Sequence, residues 1–358
     1  MKIPIAMVLA GLAVFAQPVV KRPRILGVAH VAFFVSDLNK ARAFYKDFLG
    51  FDEPFGLKRD DGTDRIAFIK INDRQYLELF AESPKDDGQL NHIALSTDNA
   101  EQLRAYLAAQ GVATIASARE PVTAFRAAPE GSATKSTSST PPASRTLADA
   151  RGSERGDRAA PEGSADKVGK GRTGNKNFTI KDPDGHIVEI VEYQPDSWTA
   201  REAGKFQPAT RISDRLLHAG IIVGPLERAM KFYRDMLGFQ EFWRGSSAGS
   251  QDLSWVNMRV PDGQDYLEFM LYREPPTAAR RGTMSHVCLM VPDVDKAVAV
   301  LESRPARKGY ARKLEIHTGV NRKRQVNLYD PDGTRIELME PNTIDGKPAP
   351  PSTAPPPQ

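Results

Sequence analysis

The stretch Val35–Phe55, VSDLNKARAFYKDFLGFDEPF, returns as Val223–Trp243, VGPLERAMKFYRDMLGFQEFW. Each copy follows a short apolar run, VAHVAFF ending at Phe34 and LLHAGII ending at Ile222. In the first copy Leu38, Ala41, Phe44, Tyr45, Phe48 and Leu49 keep the spacing of a core-facing helix. Ser36 and Asp37 are candidate N-caps, and Gly50 is a candidate C-terminal stop. Arg65–Ile71 and Arg74–Phe80 then read as strands joined by an Asn-Asp turn. The repeated unit is therefore strand, helix and about three strands.

A weaker version begins at His92: the strand NHIALSTD, the helix AEQLRAYLAAQG and the ending FTIKDPDGHIVEIVEY. A fourth has HVCLMVPD, VDKAVAVLESR and VNLYDPDGTRIELME. In both, Asp-Pro-Asp-Gly makes a tight turn, with Pro presetting one φ and Gly relieving another. Four βαβββ units in two halves predict an α+β chain of two domains.

Each half carries one His or Glu on four strand-like segments, in the same order. The first set is His30, Glu78, His92 and Glu189, and the second is His218, Glu268, His286 and Glu337. The chain holds 6 His, and four of them occupy these slots. An ionisable group on the buried face of an apolar strand must be solvated, paired or bound to metal. A single strand histidine is more often a hydrogen-bonded core residue. Eight such residues in two parallel sets point instead to two metal sites. Imidazole and carboxylate donors suit Zn, Fe, Mn, Ni or Co. Four protein ligands in an octahedral shell leave two positions open for substrate.

His286 and Glu337 are 51 residues apart, His92 and Glu189 are 97 apart, so the second unit carries a 46-residue surplus. It falls at about 121–171, rich in Ala, Ser, Gly, Pro and Arg, and contains RAAPEGSA twice. Its low hydrophobicity predicts a disordered insertion leaving an intact domain. The domain plan is residues 24–193, a linker over 194–213, residues 214–340, and a Pro-rich unfolded tail over 341–358.

Net charge is +4, which residues 119–176 account for with 11 Lys/Arg against 7 Asp/Glu. No basic stripe interleaved with aromatics is present, which argues against nucleic-acid binding. Lys2 and the apolar run Ile3–Ala16, closing on Val14-Phe15-Ala16, read as a signal peptide over 1–16. The expected location is periplasmic or secreted, with no membrane span after signal removal. The single Cys288 allows no intrachain disulfide.

The chain resembles two tandem modules of the glyoxalase/bleomycin-resistance/extradiol-dioxygenase group, the vicinal oxygen chelate superfamily. The resemblance rests on the strand His, the Leu49-Gly50-Phe51 and Leu237-Gly238-Phe239 endings, the DPDG turn and the Glu-bearing last strand. It implies glyoxalase-like domains whose mixed sheets curl into cups around a divalent metal. It also implies a small-molecule substrate with neighbouring oxygens, isomerase or lyase chemistry through a metal-stabilised enolate, and Glu189 and Glu337 as candidate bases. A homo-oligomer is compatible with it. A ring-cleaving Fe(II) dioxygenase is the alternative, using His218, His286 and Glu337. The spacing of His317 to Tyr329 does not fit that family's pattern, and Glu268 is an extra carboxylate. A drug- or metabolite-binding protein without metal is the third reading, and the complete donor sets argue against it. Cys288 reads as a small buried apolar residue, Arg335 as a solvated rim residue, and His186 and His317 as exposed. The run Arg322-Lys323-Arg324 reads as a solvated loop.

Overall fold

The computed structural model describes residues 21–82, 88–115, 122–126 (backbone only), 167–274, 277 and 284–358. The expected signal peptide lies outside the described residues, as does most of the expected insertion.

The first half opens with β1 (Ile25–Val35) and α1 (Leu38–Arg42), followed by β2 (Asp52–Arg59), β3 (Asp64–Lys70) and β4 (Tyr76–Ala81). It continues with β5 (Leu90–Thr97), α2 (Ala100–Ala109), β6 (Thr114–Ile115), β7 (Val122–Arg126), β8 (Gly169–Lys170), β9 (Lys176–Lys181) and β10 (Ile187–Glu192). A short α3 (Trp198–Arg201) leads to the second half: β11 (Leu216–Val223), α4 (Leu226–Met230), β12 (Gln240–Gly245), β13 (Trp255–Arg259) and β14 (Tyr266–Leu271). The last unit is β15 (His286–Met290), α5 (Val294–Ser303), β16 (Ile316–Thr318), β17 (Lys323–Tyr329) and β18 (Arg335–Thr343).

Each half forms one mixed sheet. The first runs β6-β9-β10-β5-β1-β4-β3-β2-β7, with β8 beside β9, and the second β12-β13-β14-β11-β15-β18-β17-β16. In both, the first strands of the two units lie antiparallel at the centre, β1 on β5 and β11 on β15. The last strands of the units run parallel to them, β4 on β1, β10 on β5, β14 on β11 and β18 on β15. This order sets the four His/Glu strands of each half side by side. It also confirms the α+β architecture of paired βαβββ units.

Asp37 caps α1 by accepting from the amides of Asn39 and Lys40. Both first helices then widen into a π turn, Ala43–Phe48 and Lys231–Met236. That turn buries Phe44, Tyr45 and Phe48 in one half and Phe232 and Tyr233 in the other. Gly50 and Gly238 end it at φ +78 and +80, a conformation L side chains rarely adopt.

The outer sheet faces and the helices share one core, which runs through both halves and includes Phe33, Tyr45, Leu95, Tyr233, Phe269 and Leu289. Polar contacts across the halves come in symmetric pairs. Tyr45 Oη donates to Asp330 Oδ2 at 3.1 Å, and Tyr233 Oη donates to Asp182 Oδ2 at 2.9 Å. Gln75 Oε1 accepts from Leu216 N at 2.9 Å, and Asp265 Oδ2 accepts from Val28 N at 3.1 Å. The first Asp of each DPDG turn thus does two jobs. Its Oδ1 accepts from turn amides while Oδ2 holds a tyrosine of the other half.

Three boundaries differ from the sequence reading. The expected insertion begins at Pro121, but Val122–Arg126 pairs antiparallel with β2 and covers that sheet edge. Gly169–Lys170 likewise pairs with β9. Residues inside the sheet make backbone bonds that low side-chain hydrophobicity does not report. The expected unfolded tail instead packs on the second half. Leu253 N donates to Pro355 O at 2.8 Å, Ser352 N donates to Arg244 O at 3.0 Å, and Ala349 is buried. Lys323 and Arg324 open β17 rather than lying in a loop, while Arg322 sits in the bend before it; Arg322 pairs with Asp345 and Arg324 with Asp295.

Candidate metal centres

Pairing places the eight residues on the concave faces. Within the first half Ala32 pairs with Glu78 on one side and with His92 on the other, and Glu189 pairs with Ala94. His30 lies two residues before Ala32, so it shares that face. In the second half Gly220 pairs with Glu268 and with His286, and Cys288 pairs with Glu337.

Side chains converge accordingly. His30 Nε2 and His92 Nε2 are 2.9 Å apart, and Glu189 Oε2 is 3.2 Å from each. Glu78 reaches His30 Nε2 at 3.4 Å and His92 Nε2 at 3.9 Å. In the second set His218 Nε2 and His286 Nε2 are 3.0 Å apart. Glu337 Oε2 lies 3.4 and 3.9 Å from them, and Glu268 Oε2 lies 4.0 and 3.4 Å away. All but the half-buried Glu189 are buried.

These residues fit a divalent cation. Two imidazole Nε2 atoms this close need a proton or a cation between them. Nitrogens each about 2.1 Å from one cation and at right angles would lie about 3 Å apart. His286 Nδ1 lies 2.9 Å from Met284 O, and His92 Nδ1 lies 2.8 Å from Asn91 Oδ1, so each Nδ1–H has an acceptor and Nε2 is left free.

Two supporting residues escaped the sequence reading. Asn177 Nδ2 donates to Glu189 Oε1 at 2.5 Å, and Gln325 Nε2 donates to Glu337 Oε1 at 2.5 Å. Each amide holds one oxygen and leaves Oε2 toward the imidazoles. Each stands 12 residues before its Glu, on the neighbouring antiparallel strand. Equal offsets in both halves were the signal that could have found them.

The electrostatics of the two cups differ. Burial pulls the His30 imidazole down, but Glu78 and Glu189 outweigh it and hold it above its ordinary value. Burial pushes His218 down to about 3; Glu268 opposes this, while His286, Arg335 and Lys323 add to it. Burial and then Arg335 push His286 to about 3. Burial raises the Glu78 and Glu337 carboxyls. Burial also acts to raise Glu189, but hydrogen bonds from His30 and His92 prevail and lower it.

Among the other singled-out residues, Cys288 is fully buried, and burial pushes its thiol well above its ordinary value. That keeps it a thiol, which disfavours a nucleophilic role. His317 is exposed. His186 is only partly exposed and its Nδ1 lies 2.8 Å from Asp182 Oδ2, a correction to the exposed reading. Arg335 is half-buried and lies against His286 rather than at a solvated rim. A cavity of about 480 Å³ opens elsewhere, between the halves, beside Val28, Arg74, Gln75, Arg215 and Asp265. None of the eight residues lines it, and Arg215 pairs with Asp265 at 3.3 Å. The donors converge in the cups, so the cups are the candidate sites.

The family model for the glyoxalase/bleomycin resistance protein/dioxygenase superfamily matches residues 27–128 and 215–338, more than half of the chain. The chain belongs to this superfamily. The "uncharacterized protein YaeR" of Escherichia coli (strain K12) is 31% identical over 129 residues, covering 34% of this chain and 93% of that protein. The 2,3-dioxygenase LapB from Pseudomonas sp. KL28 superposes with a TM-score of 0.57 at 15% identity, covering 92% of this chain and 97% of that one. A Mn(II)-bound glyoxalase from Novosphingobium aromaticivorans gives 0.57 at 17% identity, covering 89% and 83%. At these identities the superfamily structures establish the shared fold and leave the chemistry to the site.

Proposed function

We propose that the chain is a divalent-metal-dependent enzyme of isomerase or lyase type, acting on a small substrate with neighbouring oxygens. One observation carries the reading: in each cup two imidazole Nε2 atoms lie within 3.0 Å of each other, with two carboxylates within 4.0 Å. Zn, Ni, Fe, Mn and Co all suit this donor set. A divalent cation held there would supply Lewis acidity toward two adjacent substrate oxygens and so ease loss of a carbon-bound proton.

Glu189 and Glu337 are the proposed bases. Each has one oxygen fixed by an amide, so the other is presented to the cup without free rotation. His30, His92, His218 and His286 hold the cation, and Glu78 and Glu268 complete the donor sets together with Glu189 and Glu337, which serve as both ligand and base. A ring-cleaving dioxygenase would need only two His and one carboxylate, and both cups carry a second carboxylate. Lys2 and the apolar run to Ala16 support export of the enzyme.

The test is elemental analysis of the protein lacking Met1–Ala16. We expect about two divalent ions per chain, falling by about one in His92→Ala and by about one in His286→Ala. Folded protein that takes up no metal would sink the reading and favour a binding module. Isomerisation of a hemithioacetal, set against oxygen uptake with catechol, separates the two enzyme classes.

A further inference from the structure

The two cups share their donors but not their walls. Across from the carboxylate of β4 stands Phe68, and across from that of β14 stands Asn257. The first cup is further lined by Phe55, Ile66, Tyr76 and Phe80, and Trp198 packs on Phe55 with ring centroids 5.2 Å apart. Two residues before the last-strand Glu, the first cup has Ile187 and the second has Arg335. One cup wall is therefore apolar and aromatic, and the other carries a cation.

Arg335 has no carboxylate within ion-pair distance among the described residues. Its Nη2 instead lies 2.7 Å from His286 Nδ1, 3.1 Å from His286 Nε2 and 3.8 Å from Met270 Sδ. Met270 is on β14, so the guanidinium reaches from the last strand across His286 toward the opposite wall. Arg335 Nε is buried without a hydrogen-bond partner. So are Asn257 Oδ1 and Asn327 Oδ1, which pair across the sheet with Glu268 and Glu337 and share their face. Leaving buried polar atoms unpartnered is destabilising. Three of them around one donor set mark a cup shaped for a polar occupant.

Arg335 Nη2 lies within 3.1 Å of both ring nitrogens, so the guanidinium rests against the His286 ring, whose Nε2 faces His218 Nε2 at 3.0 Å. The guanidinium is therefore a permanently charged fork inside the cup with no anionic partner among the described residues, a geometry matched to a carboxylate.

We propose that the second cup takes a small carboxylate-bearing substrate with an adjacent oxygen, of the 2-oxo or 2-hydroxy acid class, and that Arg335 binds its carboxylate. This rests on the second cup being a metal site, as proposed above.

Oxalate, a dianion with neighbouring oxygens, is the probe, titrated calorimetrically into the Mn(II)-loaded full chain. A His92→Ala background removes an imidazole from the first cup, so the signal reports the second. We expect one oxalate per chain. Arg335→Ile, which copies the first cup, should weaken binding about 10- to 100-fold, the loss of one charged hydrogen-bonded pair. Arg335→Lys, which keeps the charge and loses the fork, should recover part of the affinity, and Mn(II) content should stay at one per chain in all three proteins. Arg335→Gln replaces the Ile variant if that one loses its fold. Mn(II) retained with oxalate affinity unchanged in Arg335→Ile overturns the role of Arg335 alone. A His92→Ala protein that folds but binds no Mn(II) overturns the metal reading, and this proposal with it.

Discussion

At the residue scale, the two centres are defined by more than their ligands. Asn177 and Gln325 hold the outer oxygens of Glu189 and Glu337, so each carboxylate is presented in one orientation. Partners of this kind cost about 10- to 100-fold in metal affinity when removed. We therefore expect Gln325→Ala to weaken retention of the second ion by about that factor and Asn177→Ala to weaken the first. Competition with a chelator measures both. Equal retention in wild type and variants would show that the amides are bystanders. The eight ligand candidates were legible because apolar strands made their charge conspicuous. Asn177 and Gln325 were not, because an amide on a mixed strand has no contrast with its neighbours.

At the element scale, the central antiparallel pair sets how closely the histidines approach. On β1 the residue paired with His92 is Ala32, and on β11 the residue paired with His286 is Gly220. The His286 ring lies over that glycine: a Cβ there would sit 2.1 Å from its Cε1. His92 tolerates the Ala32 methyl, so the two imidazoles take different settings on similar strands. Gly220→Ala should force His286 aside, cost about 1–3 kcal/mol of stability and lower retention of the second ion while sparing the first. Thermal melting and metal analysis read the two effects separately. A variant with wild-type values for both would show that the ring moves freely. The helices were legible from their periodicity, and the structure adds a π turn that no periodicity announced. Strand β7 was missed because its five residues sit in a low-complexity context and pair only at a sheet edge.

At the scale of the whole molecule, the halves are joined by a shared core and by two equivalent tyrosine–aspartate bonds that differ electrostatically. Burial raises Asp330 to about 6, and neighbouring Asp332 adds to this, while amide bonds from the turn and the hydroxyl of Tyr45 oppose it. Burial also acts to raise Asp182, but the hydrogen bond and charge of His186 outweigh it, and its carboxyl is lowered. Where the folded state holds a proton more tightly than the unfolded one, stability falls as pH rises. Asp330 therefore stabilises the fold below about pH 4, and that contribution is lost between about pH 4 and pH 6. The shift corresponds to about 3 kcal/mol at most. Asp182 acts oppositely, with stability lost as pH falls through its lowered value. Asp330→Asn keeps Oδ1 as acceptor for the turn amides, offers an NH2 that can donate to Tyr45 Oη, and cannot ionise. The difference in stability between this variant and wild type should therefore grow, in the variant's favour, from pH 4 to pH 6. A pH-independent difference in denaturant melts would rule the coupling out.

The sequence by itself determined the repeat, the four units, the two-domain α+β architecture and the eight residues that meet in the cups. It could do so because strand alternation fixes which face a side chain takes, and an ionisable residue on an apolar face stands out. Only the tertiary structure decided which strands lie side by side, that each half builds its own complete set, and that Arg335 lies across His286 rather than at the rim. Strand order, ring setting and the path of the tail depend on contacts between residues far apart in the chain. Those contacts are settled by packing and hydrogen-bond satisfaction in three dimensions, which local pattern does not encode.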